Sequence, residues 1–335
     1  MHPSVPRAHD GPAPSLSPCQ TRLLEFASCV PRARVAGVAG SGKTLLALEH
    51  ARRSAASGRR TLLLSGGRVH ARWLAESIGD AHAGRLEVLS FHGLCRRVTE
   101  AAGARFEVPE APEARAEFLE WGAPELLLEH RDATGTSWEA IVVDGGQDFL
   151  GDWWDALERC LAPRATFHVF YDEAQDVYGA RGIGALEALP GFELERCFRG
   201  VEGRSETVVA IPGPARRRDA VRELAARWLG EESLAPARVA ILAPHRLGRS
   251  CLAGLGEVRG VPLTERLEEW RAGRGLLVST IRAFRGLEAD AVAVIDLPKP
   301  TEGEGFGAAD LHVGRSRARR SLHLFEAEPG AALAA

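Results

Sequence analysis

The stretch from Gly37 to Thr44, GVAGSGKT, holds the densest chemistry in the chain. It fits G-x-x-x-x-G-K-[ST], in which glycines let successive backbone N–H groups point one way and make an anion cradle at a helix start, where the helix dipole adds to the attraction. Gly37, Gly40, Ser41 and Gly42 would form that cradle, Lys43 would pair with the β- and γ-phosphates of a nucleotide, and the Thr44 hydroxyl would bind Mg²⁺. The chain has only two lysines, Lys43 and Lys299, and one stands where the motif needs it. A second string, DGGQDF, opens with Asp144 at the end of the apolar run IVV, the usual place for a second Mg²⁺ anchor. A third, DEAQDVYG, follows the apolar run HVFY and carries Asp172, Gln175 and Tyr178.

Something must hold these strings in place. The run ARVAGV precedes the glycine loop, and a helical pattern, TLLALEHARR, follows it. Further apolar segments near residues 60–66, 85–91, 140–145 and 165–172 alternate with helical stretches. That alternation predicts a parallel sheet covered on both faces, with ligands at the carboxyl ends of the strands. Upstream, LSPCQTRLLEFA predicts a short helix entered through Ser17-Pro18. Gln20 stands at its start, with an amide that can both give and accept a hydrogen bond, as an adenine edge requires.

From about Pro190 a second alternating set begins: FELERCFRG, the helical PARRRDAVRELAARWLG, RVAILAP, a helix around TERLEEWRAG, GLLVST, AVAVIDL, a helix near 308–319 and SLHLFEA. The predicted fold class is therefore α/β with parallel sheets in two domains, 16–187 and 188–327. A proline-rich tail, disordered, occupies 1–15, and a short tail occupies 328–335. The glycine- and proline-punctuated GIGALEALPG marks the boundary.

At 335 residues and 45% hydrophobic content, each of two domains can bury a core of its own. A net charge of -3 does not advertise a nucleic-acid binder, although local fields can hide inside a balanced total. Six scattered cysteines without a CxxC pair, no signal peptide and no long apolar run lead to the expectation of a cytoplasmic protein with reduced thiols and no membrane contact.

Taken in order, these strings resemble superfamily-one helicases of the UvrD/Rep type, over roughly residues 16–325. Gln20 matches the family's adenine-reading glutamine and GVAGSGKT its phosphate loop. LEVLSFHGL, with His92, matches a segment that touches single-stranded nucleic acid. DGGQD stands where the family has DEAQD, and YDEAQDVYGARG where it has GDxxQxIY. ERCFRG matches its N-Y-R-S segment, STIRAFRGLEAD its T-x-H-x-x-K-G-L-E, and LHVGRSRARR its Y-V-x-x-T-R-A. DEAQD also occurs intact at Asp172–Asp176, but reversing the assignment would leave one motif without a counterpart.

The resemblance implies two RecA-like domains with ATP·Mg²⁺ between them. It makes Arg199 and Arg317 arginine fingers, Gln175 a γ-phosphate sensor, Glu288 a ribose contact, and Thr44 and Asp144 the metal-side ligands. Tyr178, Arg181, Thr280, Arg282 and Arg285 would join His92 on a single strand, DNA rather than RNA. The chain departs from the pattern at Gly145, which replaces the glutamate that activates water. It also departs at SGGR (Ser65–Arg68) and Ala180, where aromatic platforms are missing, and in the short spacings that leave out large accessory helical insertions. The expected function is a minimal ATP-dependent helicase or translocase core with slow or absent hydrolysis, unless Glu173 or Gln175 orients the water. The alternative is a hydrolysis-impaired nucleotide switch acting with a partner protein. A phosphate-loop kinase or transporter ATPase would leave GLEAD and SRARR unexplained.

Overall fold

Helix α1 (Pro18–Cys29) begins with a reciprocal cap. Ser17 Oγ accepts the Gln20 N–H, Gln20 Oε1 accepts the Ser17 N–H, and Pro18 fills the first helical position. This computed structural model describes residues 16–79, 84–172, 174, 182–194, 205–298 and 306–327. They fall into two units, one on each side of residues 195–204.

In the first unit, β1 (Arg32–Gly37) runs into the glycine loop and α2 (Lys43–Ala56). Then come β2 (Thr61–Ser65), α3 (Arg68–Ile78), β3 (Leu86–Ser90) and α4 (Phe91–Ala101). Next, α5 (Pro112–Glu117), a π turn (Phe118–Gly122) and α6 (Ala123–Thr134) cross over to β4 (Trp138–Asp144). Finally α7 (Gly151–Arg159) leads to β5 (Leu161–Tyr171) and β6 (Gly191–Leu194). All pairings are parallel, in the order β3-β2-β4-β5-β1-β6.

The continuous apolar strands are explained by which face each residue serves. Leu62, Leu64, Ile141, Val143, Phe167 and Val169 pack on one side with α4, α6 and α7. Leu63, Val142 and Phe170 pack on the other with Leu46, Ala47 and Ala51 of α2 and Leu23 and Leu24 of α1. A strand buried on both faces has no polar alternation to show.

The strand β6, which the sequence reading places in the second domain, pairs with β1 here, so the first unit extends through at least Leu194. Its backbone completes the edge beside the glycine loop, where Leu194 packs against Gly37.

The second unit holds β7 (Ser205–Ala210), α8 (Pro214–Gly230), β8 (Val239–Ala243), β9 (Glu257–Val258), β10 (Val261–Thr264), α9 (Leu267–Arg271), β11 (Leu276–Thr280), β12 (Ala289–Leu297), α10 (Ala308–Arg315) and β13 (Ala318–Glu326). Its sheet runs β7-β13-β12-β8-β11-β10-β9 and is parallel except for the β9–β10 pair. The molecule is thus α/β with mostly parallel sheets, compatible with a Rossmann- or RecA-like type. No helix among the described residues is long and apolar enough to cross a membrane.

Candidate functional site

The glycine loop is built from backbone that only glycine adopts easily. Gly40 and Gly42 have φ of +81° and +88°. Gly42 is the N-cap of α2 and has no side chain, so no cap hydrogen bond competes with an anion at this helix start. A Cβ on Gly37 would lie 2.7 Å from Ser41 Oγ. That hydroxyl is itself buried with no hydrogen-bond partner among the described residues. Uncapped amides and an orphaned hydroxyl under left-handed glycines fit a phosphate group.

Lys43 occupies the loop's interior. Its Nζ donates to Gly37 O at 2.6 Å, to Val38 O at 2.9 Å and to Asp172 Oδ2 at 3.2 Å. Asp172 follows β5, the strand next to β1, and is only 2% exposed. Its other oxygen accepts the Ala174 N–H at 3.1 Å, and its own N–H donates to Gln147 Oε1 at 3.1 Å. The lysine is thus held in place by a buried carboxylate that is itself anchored from two sides.

Asp144 ends β4, 3% exposed, and its Oδ2 lies 2.8 Å from His70 Nε2 on α3. The close approach of these segments depends on small residues. A Cβ on Gly66 would come within 2.5 Å of Asp148 Cβ, so the turn after β2 lies directly on the DGGQD turn. Thr44, in the first turn of α2, is half-buried. Among the described residues no three His, Cys, Asp or Glu side chains gather as a metal cluster. A magnesium ion held by Thr44, Asp144 and phosphate oxygens needs none, because Mg²⁺ keeps several waters and borrows substrate ligands.

The two glycines of DGGQD are backbone requirements. Gly145 has φ +83°, and Gly146 is buried so closely that a Cβ would run into Val169 Cγ1. A glutamate at position 145 would therefore change the backbone as well as the side chain. Gly145→Glu is expected to cost about 1–2 kcal/mol in urea unfolding, because a left-handed conformation disfavours a β-carbon, and Gly145→Asn less, since Asn tolerates it. Equal stability of Gly145→Glu and the wild type would show that the turn adjusts freely.

Gln20 reaches the loop in an unexpected way. Its Oε1 is taken by Ser17 and its Nε2 donates to Ser41 O at 3.2 Å, so the buried amide ties α1 to the loop. His92 also faces inward: its Nε2 lies 2.8 Å from Leu119 O of the π turn, and its ring meets the Trp153 indole edge-on. Burial, with Arg68 adding to it, lowers the His92 pKa against the opposing pull of the Leu119 carbonyl. In the arrangement seen, His92 is a packing residue.

In the second unit, Thr280 Oγ1 accepts the Ala283 N–H, and Arg282 forms a two-pronged pair with Asp310 at 2.7 and 2.8 Å. Glu288 accepts from Arg319 Nε at 3.0 Å. Arg285 is half-buried on the same segment. Arg317, expected as a finger, is 4% exposed and donates to Val313 O at 2.9 Å, to Leu287 O and to Ser316 Oγ. Helix α10 ends at Arg315, which drops Arg317 into the turn before β13 and points it into its own unit. Gln175, Tyr178, Arg181 and Arg199 lie outside the described residues, as do Glu173 and Ala180.

The sequence reading therefore brings Gln20, Gly37, Gly40, Ser41, Gly42 and Lys43 together, and misses His70 and Gln147. His70 had a signal: it follows the end of a buried strand by five positions, where ligand-facing groups collect. Comparison with models of known protein families and with curated proteins found no match to the chain.

Proposed function

We propose that the chain is a UvrD/Rep-like ATP-binding core, with both units RecA-like, that couples ATP·Mg²⁺ to single-stranded DNA and turns ATP over slowly. The observation that carries this is Lys43 Nζ lying 2.6 Å from Gly37 O and 3.2 Å from Asp172 Oδ2, beside an uncapped helix start and a buried hydroxyl without a partner. Bound ATP would supply a γ-phosphoryl group that leaves with its charge spread over three oxygens. Lys43 and the first-turn amides of α2 would neutralise that charge, while Thr44 and Asp144 would hold the metal ion.

No carboxylate follows Asp144, so general-base help worth about 10² to 10⁴ in rate is lost at that position. The order of the segments around Thr280–Glu288 and Leu311–Arg320 supports the coupling to DNA. A second reading, a nucleotide switch without turnover that acts with a partner protein, is favoured by the left-handed Gly145, which gives a glutamate no easy place.

One assay separates the readings: ATP turnover and nucleotide binding, with and without single-stranded DNA, in the wild type and Thr44→Val. Slow turnover accelerated by DNA and lost in Thr44→Val is the expected result. Tight binding with no turnover selects the switch. No binding by the wild type overturns both.

A further inference from the structure

His70 lies beside the carboxylate that the proposed function assigns to the metal, and nothing in the family resemblance gives it a task. The ring sits in the first turn of α3, 8% exposed, and stacks on Trp73 with an interplanar angle of 10°. Its Nε2 lies 2.8 Å from Asp144 Oδ2. A carboxylate can only accept, so Nε2 carries the hydrogen of this contact and Nδ1 is the ring's other polar atom. That Nδ1 is buried and has no hydrogen-bond partner among the described residues. Leaving such an atom without a partner costs about 1–3 kcal/mol, so the ring is held at the carboxylate against its own solvation preference.

A single carboxylate at a strand end can rotate, and rotation spoils its use as a metal ligand. A donor on one oxygen stops that rotation and turns the other oxygen outward. Such outer partners are worth roughly 10- to 100-fold in metal affinity at sites where they have been removed. Gly66 allows the approach, since a Cβ there would come within 2.5 Å of Asp148 Cβ.

Resting on the ATP·Mg²⁺ reading, we propose that His70 is the positioning residue for Asp144: it locks one carboxylate oxygen so that the other is presented to the Mg²⁺ that accompanies the nucleotide. The substitutions that test this are His70→Gln, whose amide N–H can replace the donor, and His70→Leu, which fills similar space without one.

The measurement is the binding of a fluorescent ATP analogue to the full chain, titrated with MgCl₂ and, separately, in EDTA. In His70→Leu the half-saturating Mg²⁺ concentration should rise about tenfold or more, with binding in EDTA unchanged, and His70→Gln should recover most of the loss. A folded His70→Leu with the wild-type Mg²⁺ dependence overturns the proposal. So does an equal loss in His70→Gln, which would make the role one of packing. If the wild type binds no nucleotide in either condition, the nucleotide reading fails, and this inference with it.

Discussion

Lys43→Ala is expected to lose nucleotide affinity by about a hundredfold or more and also to lose about 3 kcal/mol of folding stability. The first effect follows from removing the cation of the proposed phosphate contact, since losing one partner of a desolvated charge pair costs about 2–5 kcal/mol. The second is specific to this fold. Asp172, with 2% of its surface exposed, pairs with the Lys43 ammonium at 3.2 Å, and removing one member of a buried ion pair costs about 3–5 kcal/mol. The lower end applies because the lysine side chain is 12% exposed.

The two effects separate in a double variant. Lys43→Ala/Asp172→Asn removes the carboxylate charge as well while keeping an oxygen for the Ala174 N–H, so it should recover most of the stability but none of the binding. Urea unfolding and a nucleotide titration on the wild type and these two variants give the answer. Lys43→Ala as stable as the wild type would mean that the ion pair contributes nothing, and full nucleotide binding by it would remove the lysine from the site.

The first unit was legible wherever burial was two-sided. In β2 every residue between the ends is apolar, as is every one from Ala140 to Val143 in β4, because one set meets α4 and α7 and the other meets α2. The short edge strands left weaker traces. Every residue of β7 except the half-buried Val209 is exposed, so neither period nor apolarity marks it, and only the ladder with β13 makes it a strand. The loop was legible because its chemistry is local: glycine, lysine and helix start are consecutive.

The rest of the site is not local. His70 meets Asp144 across 74 positions and Lys43 meets Asp172 across 129, and no spacing rule joins them. The reading of Gly145 as standing in place of a glutamate concerned the side chain alone. It could not contain the left-handed backbone, because Gly145 and Gly146 look alike in sequence while one is fixed by φ and the other by the nearness of Val169. Arg317 illustrates the same limit: where α10 stops decides whether the guanidinium points out or in.

Acid should unfold this protein earlier than its carboxylates alone would dictate, because of a histidine pair buried between α2 and β5. His168 Nε2 lies 2.9 Å from Val30 O, and a carbonyl can only accept, so Nε2 is the protonated nitrogen and Nδ1 is bare. His50 Nε2 lies 3.0 Å from that bare Nδ1 and must donate to it. His50 Nδ1 is left buried with no hydrogen-bond partner among the described residues. A further proton on the pair would have no acceptor and would sit in apolar surroundings near Arg53 and Arg59. Burial, then the neighbouring ring, then the two arginines lower the His50 pKa from 6.5 to about 3. Burial, against the carbonyl's opposing pull, lowers that of His168 from 6.5 to about 4.

Both folded-state values lie below the unfolded one, so the unfolded chain binds more protons between pH 6.5 and about 4. The stability from these neutral rings is complete above pH 6.5 and is lost as the pH falls through that window. Two rings at up to 1.36 kcal/mol per pH unit each give a loss of about 2–4 kcal/mol at pH 5 relative to pH 7.5. Urea unfolding at a series of pH values measures it. His50→Leu/His168→Leu should flatten the slope between pH 6.5 and 5 while costing about 1 kcal/mol at pH 7.5 for the hydrogen bonds removed. An unchanged slope in that variant would place the acid sensitivity in other groups and leave the pair as packing alone.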